Sequence, residues 1–124
     1  MANGILKGKR GIIFGALDSK SIAWKVAEAA YAEGAEIVLT NAPIALRMGT
    51  INELAEKIGA KVIPADATSM DDLKALYEGA IDHLGGKIDF VLHSIGMSVN
   101  VRKGKKYYEQ NYDWTMKGYD VSAL

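Results

Sequence analysis

Apolar positions along the chain fall in four short continuous runs, separated by stretches of helical period. The runs are Gly11-Ile12-Ile13-Phe14, Glu36-Ile37-Val38-Leu39-Thr40, Lys61-Val62-Ile63-Pro64-Ala65 and Ile88-Asp89-Phe90-Val91-Leu92-His93. Rich in Ile and Val and apolar on successive residues, they have the pattern of strands covered on both faces. After the first, Ile22, Val26, Ala29 and Ala30 mark the apolar face of a helix over about residues 21–33, with Gly34 where a C-cap belongs. A second helix is predicted from about Gly49 to Ile58, ending at Gly59. A third opens at Ser69 with Asp71 and Asp72 in its first turn, where carboxylates complement the helix dipole. It continues through Leu73, Leu76, Tyr77, Ala80, Ile81 and Leu84 to Gly85-Gly86. Strand–helix alternation with short connections means right-handed βαβ units on a parallel sheet, hence an α/β fold.

The tail breaks the pattern. Residues 97–110 are polar, basic and aromatic and read as a loop. A last helix is predicted to start near Asn111 to Asp113, with Val121, Ala123 and Leu124 on its apolar side. It stops without a cap or glycine, so the chain reads as one partial domain, 1–124, truncated after the fourth strand and part of the following helix. An unpaired apolar edge is then expected along Asp89 to Ser94, a place for strand addition or aggregation.

Composition narrows the function classes. Of the 124 residues, 49% are apolar and 24% charged, with fifteen basic groups against fifteen acidic. That is ordinary globular usage, and a neutral total gives no footing for nucleic acid. Cysteine is absent, which removes disulfides, thiolate metal sites and Cys nucleophiles. No run approaches the ~20 apolar residues that span a bilayer, so no membrane contact is expected and the cytoplasm is the default location.

Candidate chemistry begins where the first strand meets its helix, over Gly15-Ala16-Leu17-Asp18-Ser19-Lys20-Ser21-Ile22-Ala23. A strand, a glycine-bearing turn and a helix N-terminus make a site for a pyrophosphate, because unpaired N–H groups and the helix dipole meet the anion there. Gly15 would let backbone approach a ligand, and the Ser21 hydroxyl would add a donor. The turn has one internal glycine where the general dinucleotide fingerprint has more, and a plain serine-capped βα loop fits the same residues.

Three segments together resemble the bacterial enoyl-acyl-carrier-protein reductases, a divergent branch of the short-chain dehydrogenase/reductases. Gly15-x5-Ser21-Ile22-Ala23 resembles the branch's signature turn; Asp66-Ala67-Thr68 follows the third strand; His93-Ser94-Ile95-Gly96 ends the fourth, where ordinary members carry Asn-x-Ala-Gly. The resemblance runs from about Leu6 to Ala123 and implies a Rossmann-like doubly wound sheet of strand order 3-2-1-4. It implies that Gly15, Ser21 and Ile22 hold the pyrophosphate and that Asp66 and Ala67 take the adenine. Ser94, Ile95 and Gly96 would pass beside ribose and nicotinamide, Val121 would pad the adenine, and Met97 and Ser98 would meet substrate. Ala42, in Thr40-Asn41-Ala42-Pro43, takes the ribose-reading position without a side-chain hydrogen bond to give. With no acid there, NADH is expected from family habit, and Arg47 leaves NADPH open. The implied reaction is reduction of the trans-2-enoyl bond of a thioester on acyl carrier protein, by a full-length homotetramer.

Plainer readings stand beside these: Asp66 as a cap for the following helix, Ser94 as strand-end polarity, and His93, by preference, as a core histidine bonded to backbone. No metal site is expected. The resemblance also implies a proton-donating tyrosine followed by a lysine seven positions on. None of the six tyrosines, Tyr31, Tyr77, Tyr107, Tyr108, Tyr112 and Tyr119, has lysine at that offset or at four. No catalytic residue is therefore assigned, and the chain by itself is expected to be inactive. The alternatives are another short-chain dehydrogenase acting on an alcohol or ketone, or a non-catalytic half-Rossmann nucleotide module. A receiver-type domain would need paired acids for Mg²⁺. The stretch Arg102 to Tyr108 reads either as a solvated loop or as a surface for the acidic carrier protein.

Overall fold

A computed structural model describes residues 3–124. The chain forms two compact units, one ending at Ser94 and the other spanning Ile95–Leu124. The first contains β1 (Arg10–Phe14), α1 (Ile22–Ala32), β2 (Glu36–Thr40), α2 (Pro43–Met48), α3 (Ile51–Ile58), β3 (Lys61–Val62), α4 (Met70–Leu84) and β4 (Phe90–His93). All four strands are parallel, in the order β3-β2-β1-β4. Ile12 lies opposite Val38 and Val91, and Ile13 opposite Leu39 and Leu92.

Alternation along β1 and β2 sends successive side chains to opposite faces. Ile13, Ile37 and Leu39 join Trp24 and Ala27 of α1 and Leu54 and Ile58 of α3 in one buried cluster. Ile12 and Val38 are also fully buried, as are Leu76 and Ala80 of α4, which crosses β2. Both faces of the central pair are thus covered, as a continuous apolar run requires.

The edge strands differ from the sequence reading. β3 is two residues long and β4 begins at Phe90, not Ile88. Each has a sheet neighbour on one side only among the described residues, and β4 alternates between half-buried and exposed positions. His93 is one of the exposed ones, so it is not the core histidine expected; its ring meets Phe14 edge-on at 6.4 Å.

Two helices also depart from expectation. The buried stripe of α1 is Ala23, Trp24, Ala27 and Ala30, whereas Ile22 is 77% exposed and Val26 and Ala29 face outward. Small alanines, not the branched residues, allow the close packing of α1 on the sheet. The helix expected over about Gly49 to Ile58 is present as α3, ending at Gly59, but a further short helix, α2, precedes it across a break at Gly49-Thr50. Pro43 starts α2 at a position where a missing N–H costs nothing. α4 matches its signals: Ser69 Oγ accepts from Asp72 N at 3.2 Å, and Gly85 closes it at φ +79.

In the second unit, α5 (Val99–Arg102) and a 3₁₀ turn (Tyr107–Glu109) interrupt the stretch read as a loop, while α6 (Tyr112–Ser122) starts where the last helix was expected. Asn111 caps α6, accepting from Trp114 N at 3.1 Å. Buried Asn100 ties α5 to α6: its Nδ2 donates to Thr115 Oγ1 at 3.0 Å, and its Oδ1 accepts from Asn111 N at 2.8 Å. Val121 is half-buried, but Ala123 and Leu124 are exposed and lie past the helix end.

Candidate functional site

Gly15 follows β1 directly. Its φ of +96 is one that L side chains avoid, and a Cβ there would sit 1.9 Å from the Ser94 carbonyl oxygen. The glycine is therefore required first by the passage of the β4 end, a reason the sequence did not reveal. Its N–H donates to Thr40 O at 3.1 Å, tying the turn to the end of β2.

The turn is held from within by Ser21. Its Oγ accepts from Leu17 N and Asp18 N, each at 3.0 Å, and makes no cap bond to α1. With those lone pairs engaged, the hydroxyl proton is the group left for a ligand. Asp18 Oδ1 accepts from Lys20 N at 2.9 Å, and Asp18 O from Ser21 N at 3.0 Å. The first N–H with an acceptor at the start of α1 is that of Lys25, to Ser21 O. Among the described residues the N–H groups of Ile22, Ala23 and Trp24 have no acceptor. Three amide donors at the positive end of an eleven-residue helix suit a diphosphate.

Two supports were missed by the sequence reading. Asn41 Nδ2 donates to Ala16 O at 3.0 Å while its Oδ1 accepts from Ala42 N at 2.9 Å, clamping the turn to the β2 end. An asparagine directly after a strand signals such a local clamp. At the α2–α3 break, Thr50 N donates to Leu17 O at 2.8 Å, and a Cβ on Gly49 would meet that same oxygen at 2.4 Å. Nothing local in the sequence announces that contact.

Asp66 sits in the turn after β3. Its Oδ1 accepts from Thr68 N at 2.8 Å and Thr68 Oγ1 at 2.6 Å, and its N–H donates to Asp72 Oδ2 at 2.9 Å. The cap of α4 belongs to Ser69, so Asp66 shapes the turn instead of capping the helix. Ala42 and Ala67 are half-buried beside these turns, as is Ser94 at the end of β4. Thr40 Oγ1 is fully buried and has no partner among the described residues.

In the second unit, Ile95 is half-buried and Gly96 exposed. Met97 N donates to Ser122 Oγ at 3.0 Å, and Ser98 Oγ caps α5 by accepting from Val101 N at 3.3 Å. Both residues line a cleft of about 260 Å³ with Trp114, Thr115 and Tyr119.

Residues 15–124 match the family model described as Enoyl-(Acyl carrier protein) reductase. The chain belongs to this family. It is 35% identical, over 98% of its own length and 44% of the relative's, to enoyl-[acyl-carrier-protein] reductase [NADH] 1 of Rhizobium meliloti. It is 31% identical, over 97% of itself and 45% of the relative, to the enoyl-[acyl-carrier-protein] reductase [NADH] of Mycobacterium avium. A solved FabI–NADH complex from Alistipes finegoldii superposes with a TM-score of 0.94 at 60% identity, covering 97% of this chain and 42% of that one. The chain thus spans under half the length of these reductases. No described helix is long and apolar enough to cross a membrane.

Proposed function

We propose that these residues form the cofactor-binding part of an NADH-dependent enoyl-[acyl-carrier-protein] reductase. It would reduce the trans-2 double bond of acyl thioesters carried on acyl carrier protein in fatty-acid synthesis. The observation that carries the reading is the trio of unspent N–H groups at Ile22, Ala23 and Trp24, next to a glycine turn, in a member of this family. Matching relatives are named for NADH, which favours it over NADPH.

The site's own chemistry fits a dinucleotide. A buried hydroxyl without a partner costs about 1–3 kcal/mol, and Thr40 Oγ1 lies where β2 meets the Gly15 turn. A polar ligand atom seated there would relieve that cost. Gly15, Ser21 and Ile22 hold the diphosphate, with Ser21 donating its remaining proton. Asp66 and Ala67 take the adenine, and Ala42 packs against the ribose without a carboxylate to mark its 2′ position. Ser94 with Ile95 and Gly96 serves the nicotinamide end, Val121 the adenine, and Met97 and Ser98 the acyl substrate. When bound, the nicotinamide supplies the hydride. This chain offers no tyrosine–lysine pair to place a proton on the resulting enolate. In this reading residues 1–124 belong to one dinucleotide-binding domain of a cytoplasmic homotetramer at the relatives' full length, acting without nucleic acid or membrane.

The test is a fluorescence titration of NADH into the 124-residue protein, followed by crotonyl thioester. Saturable binding without NADH oxidation is expected. Absence of any binding contradicts the cofactor role, and turnover by this chain contradicts the assignment of the proton donor elsewhere.

A further inference from the structure

Arg102, Lys103, Lys105 and Lys106 place four cations within five residues, all exposed. None pairs with a carboxylate among the described residues. The nearest acid in sequence, Glu109, is engaged in accepting from Lys106 N at 3.3 Å. The second unit holds five cations against three carboxylates, although the whole chain is neutral, so its field is local. Next to the cations, Tyr107 and Tyr108 are 90% and 78% exposed, with Lys106 Nζ 5.8 Å from the Tyr108 ring centre. Tyrosine and arginine are the residues that anchor protein interfaces, and a tyrosine buries about 150–250 Å² when covered.

The segment is also ordered before any partner arrives. Lys103 N donates to Val99 O at 2.9 Å and Lys105 N to Asn100 O at 3.0 Å, around Gly104 at φ +68. Asn100 is in turn fixed to Asn111 and Thr115. A surface held in shape loses little entropy on docking.

We propose that the Arg102–Tyr108 ridge is the docking surface for an acidic protein, the carrier that presents the acyl thioester. The proposal rests on the function given above and adds to it where the carrier binds. Cations without a carboxylate partner among the described residues raise the encounter rate with an acidic surface, and the exposed tyrosines supply the apolar contact that holds it.

The experiment uses the reductase at full length, with Lys105 and Lys106 both changed to Glu. Two substrates are compared: a crotonyl group on acyl carrier protein and the crotonyl thioester of N-acetylcysteamine, which is neutral and has no protein part. For the carrier-bound substrate KM is expected to rise roughly tenfold at low salt with kcat unchanged, the difference shrinking near about 0.5 M salt as charges are screened. For the neutral thioester both constants stay as in the parent. Equal changes for both substrates, or none for the carrier-bound one, overturn the docking surface while leaving the function intact. If the double Glu variant does not fold, the Lys105→Gln, Lys106→Gln pair decides by the same comparison with a smaller rise. If the parent enzyme reduces neither substrate, the function itself has failed and the docking surface falls with it.

Discussion

At Gly15 a positive φ and the Ser94 carbonyl act together, so alanine there is excluded twice. The backbone conformation alone costs about 1–3 kcal/mol for a non-glycine residue, and the overlap forces β1 and β4 apart as well. Gly15→Ala is expected to lower the melting temperature clearly and to abolish NADH binding. Ser21→Ala removes the acceptor for two N–H groups of the turn. Its expected effect is a stability loss of about 1–2 kcal/mol in urea unfolding, with a weaker NADH affinity. Glu33 carries a different prediction. Backbone N–H groups of Ile5 and then Asn3 hold its carboxyl below the ordinary value of 4.5. A lowered pKa means stability present above that value and lost as pH falls through the lower, folded one. Protection of the Asn3 and Ile5 amides relative to their intrinsic exchange rates should therefore be lost as pH falls below the ordinary carboxyl value, and Glu33→Gln should remove that pH dependence. At this scale the sequence disclosed what acts locally: Ser69 as a cap, and Asn111 at the start of α6. It did not disclose Asn41 on Ala16, Thr50 on Leu17 or Ser122 on Met97, because those partners meet only after the chain has folded.

Among the elements, β1, β2 and α4 were legible because burial on both faces and a capped fifteen-residue amphipathic pattern are strong signals, while β3 and β4 are shorter than the runs that announced them. The inward face of α1 was misread because its contact is made by alanines, whose small size lets the helix approach the sheet, while Ile22 at the helix start stays in water. Helix α2 was not legible, since Pro43-to-Met48 is short and carries no buried residue to give it an apolar stripe. Helix α4 permits a separation of effects. Ser69→Ala should cost about 1 kcal/mol by loss of the cap, and Leu76→Ala about 2–5 kcal/mol by leaving a cavity in the fully buried layer against the sheet. Leu76 lies away from the Gly15 turn, so NADH affinity measured well below the melting temperature should be unchanged in Leu76→Ala, whereas Ser69→Ala also loosens Asp72, which accepts from Asp66 N, and should weaken it slightly.

For the molecule as a whole, the family could be read from three short segments whose spacing is fixed by the sheet: the Gly15 turn after β1, Asp66 after β3 and Ser94 after β4. These stand at C-terminal strand ends of a parallel sheet, the edge at which such folds bind ligands. The tyrosine–lysine pair that the resemblance implies has no counterpart in these residues, since no tyrosine has a lysine four or seven positions on. The central claim is that a diphosphate rests on the amides at the start of α1. It is tested most directly by titrating NADH into uniformly ¹⁵N-labelled protein and following the amide resonances. The largest shifts are expected at Gly15 and at Ile22, Ala23 and Trp24, saturating together with the fluorescence change. Saturation with those four amides unmoved, or shifts confined to residues away from this turn, would contradict it.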